Sequence, residues 1–157
     1  MRELTLVVHW LHVLGGIVWF GGHVFTAAVI WPALLRRPAA EAKALSDAMA
    51  EPAMRVMGPA GMLVLVLGIV RGTVLGPVRS LDVLFGTAYG WTFAAALLIT
   101  FFLMGYAGAT RKEMEHRVWD GDRFHPGAAA YLRRSSVINL GGLAAILVCM
   151  VLMRFGL

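Results

Sequence analysis

The chain has 157 residues, of which 59% are hydrophobic and 15% charged, and its mean hydropathy is +0.75. Soluble domains are nearer half apolar and a quarter charged, so this composition excludes an ordinary soluble domain and indicates an integral membrane protein. The formal net charge of +5 comes from Lys and Arg residues that flank apolar runs, which is typical of membrane proteins and not of a nucleic-acid-binding face.

Four apolar runs are each long enough to cross a bilayer, which takes roughly 20 residues. Lipid offers no hydrogen-bond partner to open backbone, so each run is predicted to be a helix. The sequence therefore predicts an all-α fold, an integral membrane four-helix bundle that forms a single domain over residues 1–157. The predicted spans cover about residues 4–31, 53–76, 87–110 and 135–155.

Prolines, glycines and charged segments mark the limits of these elements. Pro32 is predicted to end the first span and Pro77 the second, while Pro59 predicts a kink early in the second span. The segment RRPAAEAKALSDAMAE between these spans predicts a short amphipathic surface helix. The charged segment after the third span predicts that this helix continues beyond the membrane until the sequence DGD breaks it.

Lys and Arg are distributed unequally between the two sides of the predicted bundle. Ten of the 14 lie in or beside the two longer loops, and four lie on the side of the termini. The positive-inside rule then places the longer loops in the cytoplasm and both termini outside.

Three of the five histidines, His9, His12 and His23, lie within the apolar first span. At about 100° per residue they fall on one stripe of the helix, together with Gly16 and Trp19. The rise from His12 to His23 is about 16 Å, which places these two imidazoles in opposite halves of the bilayer. Ionisable residues inside a span indicate a functional site.

This spacing suits one or two b-type haems within the bundle, with His12 and His23 as iron ligands and His9 as the alternative outer ligand. The competing interpretation is that the polar and small residues only join helices. The second axial ligand stays open: the iron could take a methionine or a histidine, stay five-coordinate, or be shared across a dimer. The side chains at a suitable depth in the bilayer to be this second ligand are those of Met150, Met153, Met62, Met104 and His116.

Small and aromatic residues on the first span are predicted to shape the haem pocket. Gly16 and Gly22 remove side chains where a macrocycle would approach the backbone, and Trp19 lies between the histidines. Cys149 is the single cysteine and lacks a C-x-x-C-H context, so the haem would not be covalently attached.

Arg71 lies about two turns inside the outer end of the second span, level with His9 and His12. A buried arginine needs an anionic partner, and no acidic residue lies in the upper part of any span. A haem propionate is the predicted partner, and snorkelling of the side chain to the outer surface is the alternative.

The segment LHVLGGIVWFGGHVFTAAVIWPALL resembles the first helix of a group of small bacterial membrane proteins. The group includes the copper resistance D-type domain, related uncharacterised four-helix families and the haem-dependent bacterial protoporphyrinogen oxidase. The shared pattern is a histidine, a tryptophan seven residues on, a glycine pair and a later proline. Here it falls on His12, Trp19, Gly21, Gly22 and Pro32. Beyond about thirty residues, the resemblance rests on span count, length and the sequence LFGTAYGW.

The resemblance implies a multi-pass protein of the bacterial inner (cytoplasmic) membrane and, in the oxidase branch, a b-type haem held by His12. Two departures matter. The third span lacks the basic residue, usually Lys, of the oxidase branch, which weighs against protoporphyrinogen oxidation. His23 stands where an apolar residue is more usual, which favours an additional ligand.

The predicted function is that of a small b-type membrane cytochrome in electron transfer, with quinol as a candidate donor. Whether it is an oxidoreductase in its own right is left open. The alternatives are copper import or transfer, which draws on the methionines of MAEPAMRVMGPAGM, and a non-catalytic subunit of a larger membrane complex. Membrane lipid, a quinone, and a homodimer or larger membrane complex are the predicted partners.

Overall fold

The computed structural model describes residues 2–157, and its architecture is all-α. Four helical stretches are long and apolar enough to cross a membrane, so the chain is an integral membrane four-helix bundle, as the sequence predicts. The elements are α1 (Arg2–Phe25), a π-helical turn (Thr26–Ile30), α2 (Trp31–Leu34), α3 (Ala39–Gly72), α4 (Leu81–Gly86), α5 (Ala88–Val118), β1 (Trp119–Asp120), β2 (Arg123–Phe124) and α6 (Ala128–Arg154).

The first helical stretch does not end at Pro32. The backbone widens into the π-helical turn, and α2 then carries the helix on to Leu34. Pro32 lies in the first turn of α2, where its missing N–H and fixed backbone angle are well tolerated. In the turn itself, the Thr26 hydroxyl donates a hydrogen bond to the Gly22 carbonyl oxygen at 2.8 Å.

The predicted surface helix and the second span are one continuous helix, α3, of 34 residues. Pro52 and Pro59 both lie inside it at exposed positions. Each proline removes one backbone hydrogen bond, but the Ala-rich turns before Pro52 have high helix propensity and continue into it. At 1.5 Å per residue α3 is roughly 51 Å long, so its first turns extend beyond a hydrocarbon core of about 30 Å.

The helix α3 ends at Gly72, before the predicted limit at residue 76. The Gly72 carbonyl oxygen accepts a hydrogen bond from the Val78 N–H at 3.1 Å, which turns the chain toward α4.

The helix α5 continues past the membrane, as predicted. It begins at the N-cap Thr87, whose hydroxyl oxygen accepts a hydrogen bond from the Gly90 N–H at 3.0 Å. It ends at Val118, and the sequence DGD then forms the turn between antiparallel β1 and β2. Gly121 in this turn has a φ of 58°, a left-handed conformation that favours glycine. The last helix, α6, begins at Ala128, ahead of the predicted span start at residue 135.

The long helices pack as two pairs, α1 with α3 and α5 with α6, which meet along a seam. We call the end of the bundle that holds the start of α1 and the end of α6 the terminus end, and the opposite end the loop end. A central core lies on the seam, and a second cluster closes the loop end. The central core comprises Trp19, Ala60, Val64, Leu103, Leu143 and Ile146, and the loop-end cluster comprises Leu34, Ala42, Val118, Trp119, Ala128 and Leu132.

Candidate functional site

A groove of about 160 Å³ opens between all four long helices toward the terminus end. We call it the terminal groove. Its floor and walls are mainly apolar, and its polar side chains converge from α1, α3, α5 and α6. The lining residues with hydrogen-bonding or ligating side chains are His9, His12, Arg71, Tyr89, Thr100, Met150, Met153 and Arg154.

His12 is half-buried and packs against the backbone of α3 at Gly68. A Cβ atom at Gly68 would lie 3.1 Å from His12 Cε1, so this close approach depends on glycine. The Nδ1 atom of His12 is buried on the side of the ring that packs on α3, where the Val64 backbone interacts with the imidazole, and it makes no hydrogen bond of good geometry with residues 2–157. Because nearly all buried polar atoms are well paired, a poorly paired imidazole on the wall of a groove makes His12 a candidate ligand residue.

Arg71 brings a second buried and unpaired atom, its Nε, to the same groove. His9, His12 and Arg154 share the lining with it, and no Asp or Glu side chain lines the groove. The groove therefore presents an excess of positive and hydrogen-bond-donating groups, which suits a ligand that carries an anionic group.

Arg71 and Met153, which the sequence places at the depth of His12, line the groove together with it, and Tyr89 of α5 lines it as well. Trp91, two residues on from Tyr89, is instead exposed on the outer face of α5. Its ring packs edge-on against Phe85 of α4, with centroids 5.7 Å apart.

Trp19 and Gly22 lie in the α1–α3 interface and do not line the groove. The Trp19 ring is 7% exposed and rests on Gly61, where a Cβ atom would lie 3.3 Å from the indole. Gly22 faces Met57, whose Sδ would be 2.2 Å from a Cβ atom. Each helix thus places a glycine opposite a large side chain of the other, which allows close packing of helices in a membrane.

Gly16 lies beside open space, since nothing comes within 4 Å of the position of its Cβ atom. It also lies outside the groove lining. A methyl group at Gly16 would therefore make no close contact with the other helices.

His23 lies on α1 away from the terminal groove. Its Nδ1 donates a hydrogen bond to the Trp19 carbonyl oxygen at 2.9 Å, and its ring packs edge-on against the Trp19 ring. This bond leaves Nε2 as the nitrogen available to a metal. Among its candidate partners, Met104 packs against the central core, whereas Met62 and His116 are exposed. The assignment of His23 as an iron ligand stays a prediction.

The methionines of the copper hypothesis point in different directions. Met54 and Met62 are 44% and 48% exposed, Met57 packs on Gly22, and Met49 packs against the loop-end cluster. Among residues 2–157, no three or more His, Cys, Asp or Glu side chains come together as a metal site.

The size of the groove was tested against a haem. Its volume of about 160 Å³ is below the roughly 300–1,000 Å³ of pockets that bury drug-sized ligands. The groove lies on the seam between the helix pairs, and its wall includes a close contact across that seam, since a Cβ atom at Gly72 would lie 2.1 Å from the Phe93 ring. The imidazole, thioether and guanidinium groups of the lining form a donor set that fits a haem, and the groove would have to widen to hold one.

Sequence reasoning missed two residues that line the terminal groove, Arg154 and Phe93. Arg154 lines the terminal groove, and its position in the last turn of a span is the one signal that could have indicated it. Phe93 lines the groove as well, and its sequence context does not distinguish it from other apolar residues of α5.

No protein-family model, curated protein sequence or solved structure matches the chain. The resemblance of the first span to the copper resistance D-type and oxidase group therefore stays an interpretation of its residues.

Proposed function

We propose that the protein binds one b-type haem in the terminal groove and acts as a small membrane cytochrome in electron transfer. The observation that carries the proposal is that the half-buried imidazole of His12 and the guanidinium of Arg71, whose buried Nε is unpaired, line the same groove. Imidazole is a common axial ligand of haem iron, and arginine pairs well with carboxylates such as the haem propionates.

Different lining residues would contact different parts of the haem. His12 would bind the haem iron, with His9 as the alternative, and Met150 or Met153 of α6 would be the second ligand. Arg71 and Arg154 would pair with the propionates. The apolar walls would exclude water, and together with the ligands they would tune the reduction potential. When bound, the haem supplies one-electron redox chemistry.

The charge of the groove favours haem over a bare metal ion. Arg71 and Arg154 would repel a cation held by His12, whereas two propionates carry the opposite charge. Copper transfer is the second candidate, because His9, His12, Met150 and Met153 share one groove and imidazole with thioether is a soft donor set that suits Cu(I).

The distribution of Lys and Arg supports an orientation of the bundle in the membrane. Ten of the 14 lie toward the loop end, so we place that end in the cytoplasm of a bacterial cell and the groove in the outer half of the inner membrane. A quinol that diffuses in the lipid would reach the groove along the seam. This makes a membrane quinol the proposed electron donor.

Substitution of the groove histidine tests the proposal. We expect His12→Ala, purified from haem-sufficient cells, to lose the haem spectrum, because it removes the axial ligand. The matched control is His116→Ala, since His116 is exposed outside the groove and its loss should leave haem content unchanged. An unaltered spectrum in His12→Ala would overturn the proposal, and copper without haem in the wild type would support the second candidate.

A third variant separates one haem from two. Under the single-site proposal, His23→Ala keeps the full haem content. Loss of half of a two-haem content in His23→Ala would instead assign a second site to the other half of the bundle.

A further inference from the structure

A second cavity, of about 280 Å³, lies between α5 and α6 toward the loop end. We call it the loop-end cleft. It shares no residue with the terminal groove, so an inference about it is independent of the proposed haem site. The cleft is lined by Tyr106, Ala109, Thr110, Glu113, Arg117, Tyr131 and Arg134.

The cleft lies at the level where α5 leaves the apolar part of the bundle. Nearer the centre the helices are in close contact, since a Cβ atom at Gly142 would lie 2.7 Å from Leu103 Cδ2. Toward the loop end the Tyr131 hydroxyl donates a hydrogen bond to the Thr110 carbonyl oxygen at 3.3 Å, and both residues line the cleft.

The chemistry of the cleft changes from aromatic to cationic along α5. Tyr106 is half-buried at the inner end, and its ring stacks on the exposed Phe102, with centroids 5.9 Å apart. Arg117 lies eleven residues further on, about 16 Å along the helix. An apolar surface thus leads from the cleft toward the membrane centre, while cations line its outer end.

Two of the polar groups in the cleft are free to bind a ligand. The Tyr106 hydroxyl has no hydrogen-bond partner, and Arg134 has no ion pair, among residues 2–157. Arg117 interacts with Glu113 at 3.7 Å, at an exposed position where such a pair is weak. With two arginines and one glutamate, the cleft carries a net positive charge.

We propose that the loop-end cleft binds the headgroup of an anionic phospholipid. The phosphodiester lies against Arg134, Arg117 and the Tyr106 hydroxyl, and an acyl chain runs along Phe102 toward the membrane centre. Basic pockets between transmembrane helices are established sites for anionic lipid headgroups. The aromatic inner end and cationic outer end match the two parts of one lipid molecule, which a free anion would not use.

Native mass spectrometry of the detergent-purified protein, titrated with phosphatidylglycerol or phosphatidylcholine, tests this proposal. We expect one phosphatidylglycerol to bind in preference to phosphatidylcholine. Arg134→Gln should weaken phosphatidylglycerol binding about fivefold, the effect expected for one basic residue at a membrane surface. Arg133→Gln is the matched control, because Arg133 is the exposed neighbour of Arg134 and lies outside the cleft.

A second variant, Tyr106→Phe, keeps the charge and the ring and removes the free hydroxyl. It should weaken phosphatidylglycerol binding to a smaller extent than Arg134→Gln. Equal binding of the two lipids, or an equal loss in Arg133→Gln and Arg134→Gln, would overturn the proposal. Displacement of bound lipid by millimolar inorganic phosphate would also overturn it, because the site would then recognise a free anion. Haem content enters none of these readouts.

Discussion

The two ends of the bundle are built differently from the same helices. At the loop end, Leu34, Ala42 and Val118 are 3%, 0% and 0% exposed, and the cluster that holds them is closely packed. At the terminus end, the groove leaves the buried Nδ1 of His12 and Nε of Arg71 unpaired. Unpaired buried polar groups lower stability, so a protein retains them where a ligand completes them. The contrast makes the loop-end cluster the main source of stability and the terminal groove the candidate haem site.

The difference follows from the surroundings of each end. The helices α3 and α5 extend beyond the membrane at the loop end, so apolar side chains there are removed from water and the hydrophobic effect drives their packing. Inside the membrane that drive is absent between helices, and close packing depends on small residues such as Gly61 and Gly22. One such contact also crosses the seam, where Gly72 faces Phe93 in the wall of the groove.

The largest expected effect on stability is at the loop end. Leu34→Ala should lower the free energy of unfolding by about 2–5 kcal/mol, because it leaves a cavity in a closed cluster. The measurement is unfolding of the detergent-solubilised protein by a denaturing detergent, with haem counted per folded chain. Leu45→Ala, at a position 41% exposed on α3, is the control and should have little effect. Loss of haem from Leu34→Ala protein that is still folded would show that the loop-end cluster also affects haem binding, and would contradict the assignment of separate roles to the two ends.

Arg71→Leu should act in opposite directions on the haem-free and haem-bound protein. Removing an unpaired buried group should stabilise the haem-free protein by about 1 kcal/mol, and losing a charge-assisted bond to a propionate should weaken haem binding about tenfold or more. Haem titration and unfolding of the haem-free protein measure the two effects. Arg79→Leu, at an exposed position at the same end, should change neither. A destabilised haem-free Arg71→Leu would show that Arg71 serves the fold.

A methyl group at Gly68 should disturb the groove with a smaller effect. Its Cβ atom would lie 3.1 Å from His12 Cε1, so Gly68→Ala must displace the imidazole by a few tenths of an ångström. We expect a shifted haem reduction potential, with the free energy of unfolding changed by less than about 1.5 kcal/mol. Gly16→Ala is the control, since nothing lies within 4 Å of its Cβ position. Equal haem reduction potentials in Gly68→Ala and Gly16→Ala would contradict the assignment of His12 as a haem ligand.

The smallest effect is expected for the surface contacts of Lys43. This residue joins α3 to α5 through Glu115 at 3.0 Å, and its Nζ lies 5.9 Å from the centre of the Trp119 ring. Lys43→Gln should lower the melting temperature slightly at low salt. The difference from wild type should disappear near 1 M salt, where the screening length is about 3 Å. A difference that persists at high salt would indicate packing of the lysine stem on Trp119 instead.

The sequence predicts the helices and the depth of the groove residues, but not which neighbour each face meets. Apolar length and charge placed the spans, and counting from their ends placed Arg71 and Met153 level with His12. A helical wheel put Trp19 on the stripe of His12, and both side chains do face α3, Trp19 at Gly61 and His12 at Gly68. His12 lines the groove and Trp19 does not, and this difference depends on where the two helix pairs separate, which the wheel does not contain.

The sequence analysis also did not predict that α3 is one continuous helix. The sequence predicts a short surface helix that is separate from the second span, and a kink at Pro59. The helix passes through because Ala42, on the turns before Pro52, packs into the loop-end cluster. That tertiary contact, which joins residues far apart in the chain, holds the first turns of α3 in line with the rest.

The most direct test of the account is the absorption spectrum of the detergent-purified protein, oxidised and then reduced with dithionite, with a pyridine haemochrome count. The account predicts sharp b-type bands and one haem per chain, bound in the terminal groove. A colourless protein from haem-sufficient cells would contradict it, and the unpaired His12 and Arg71 would then require another ligand.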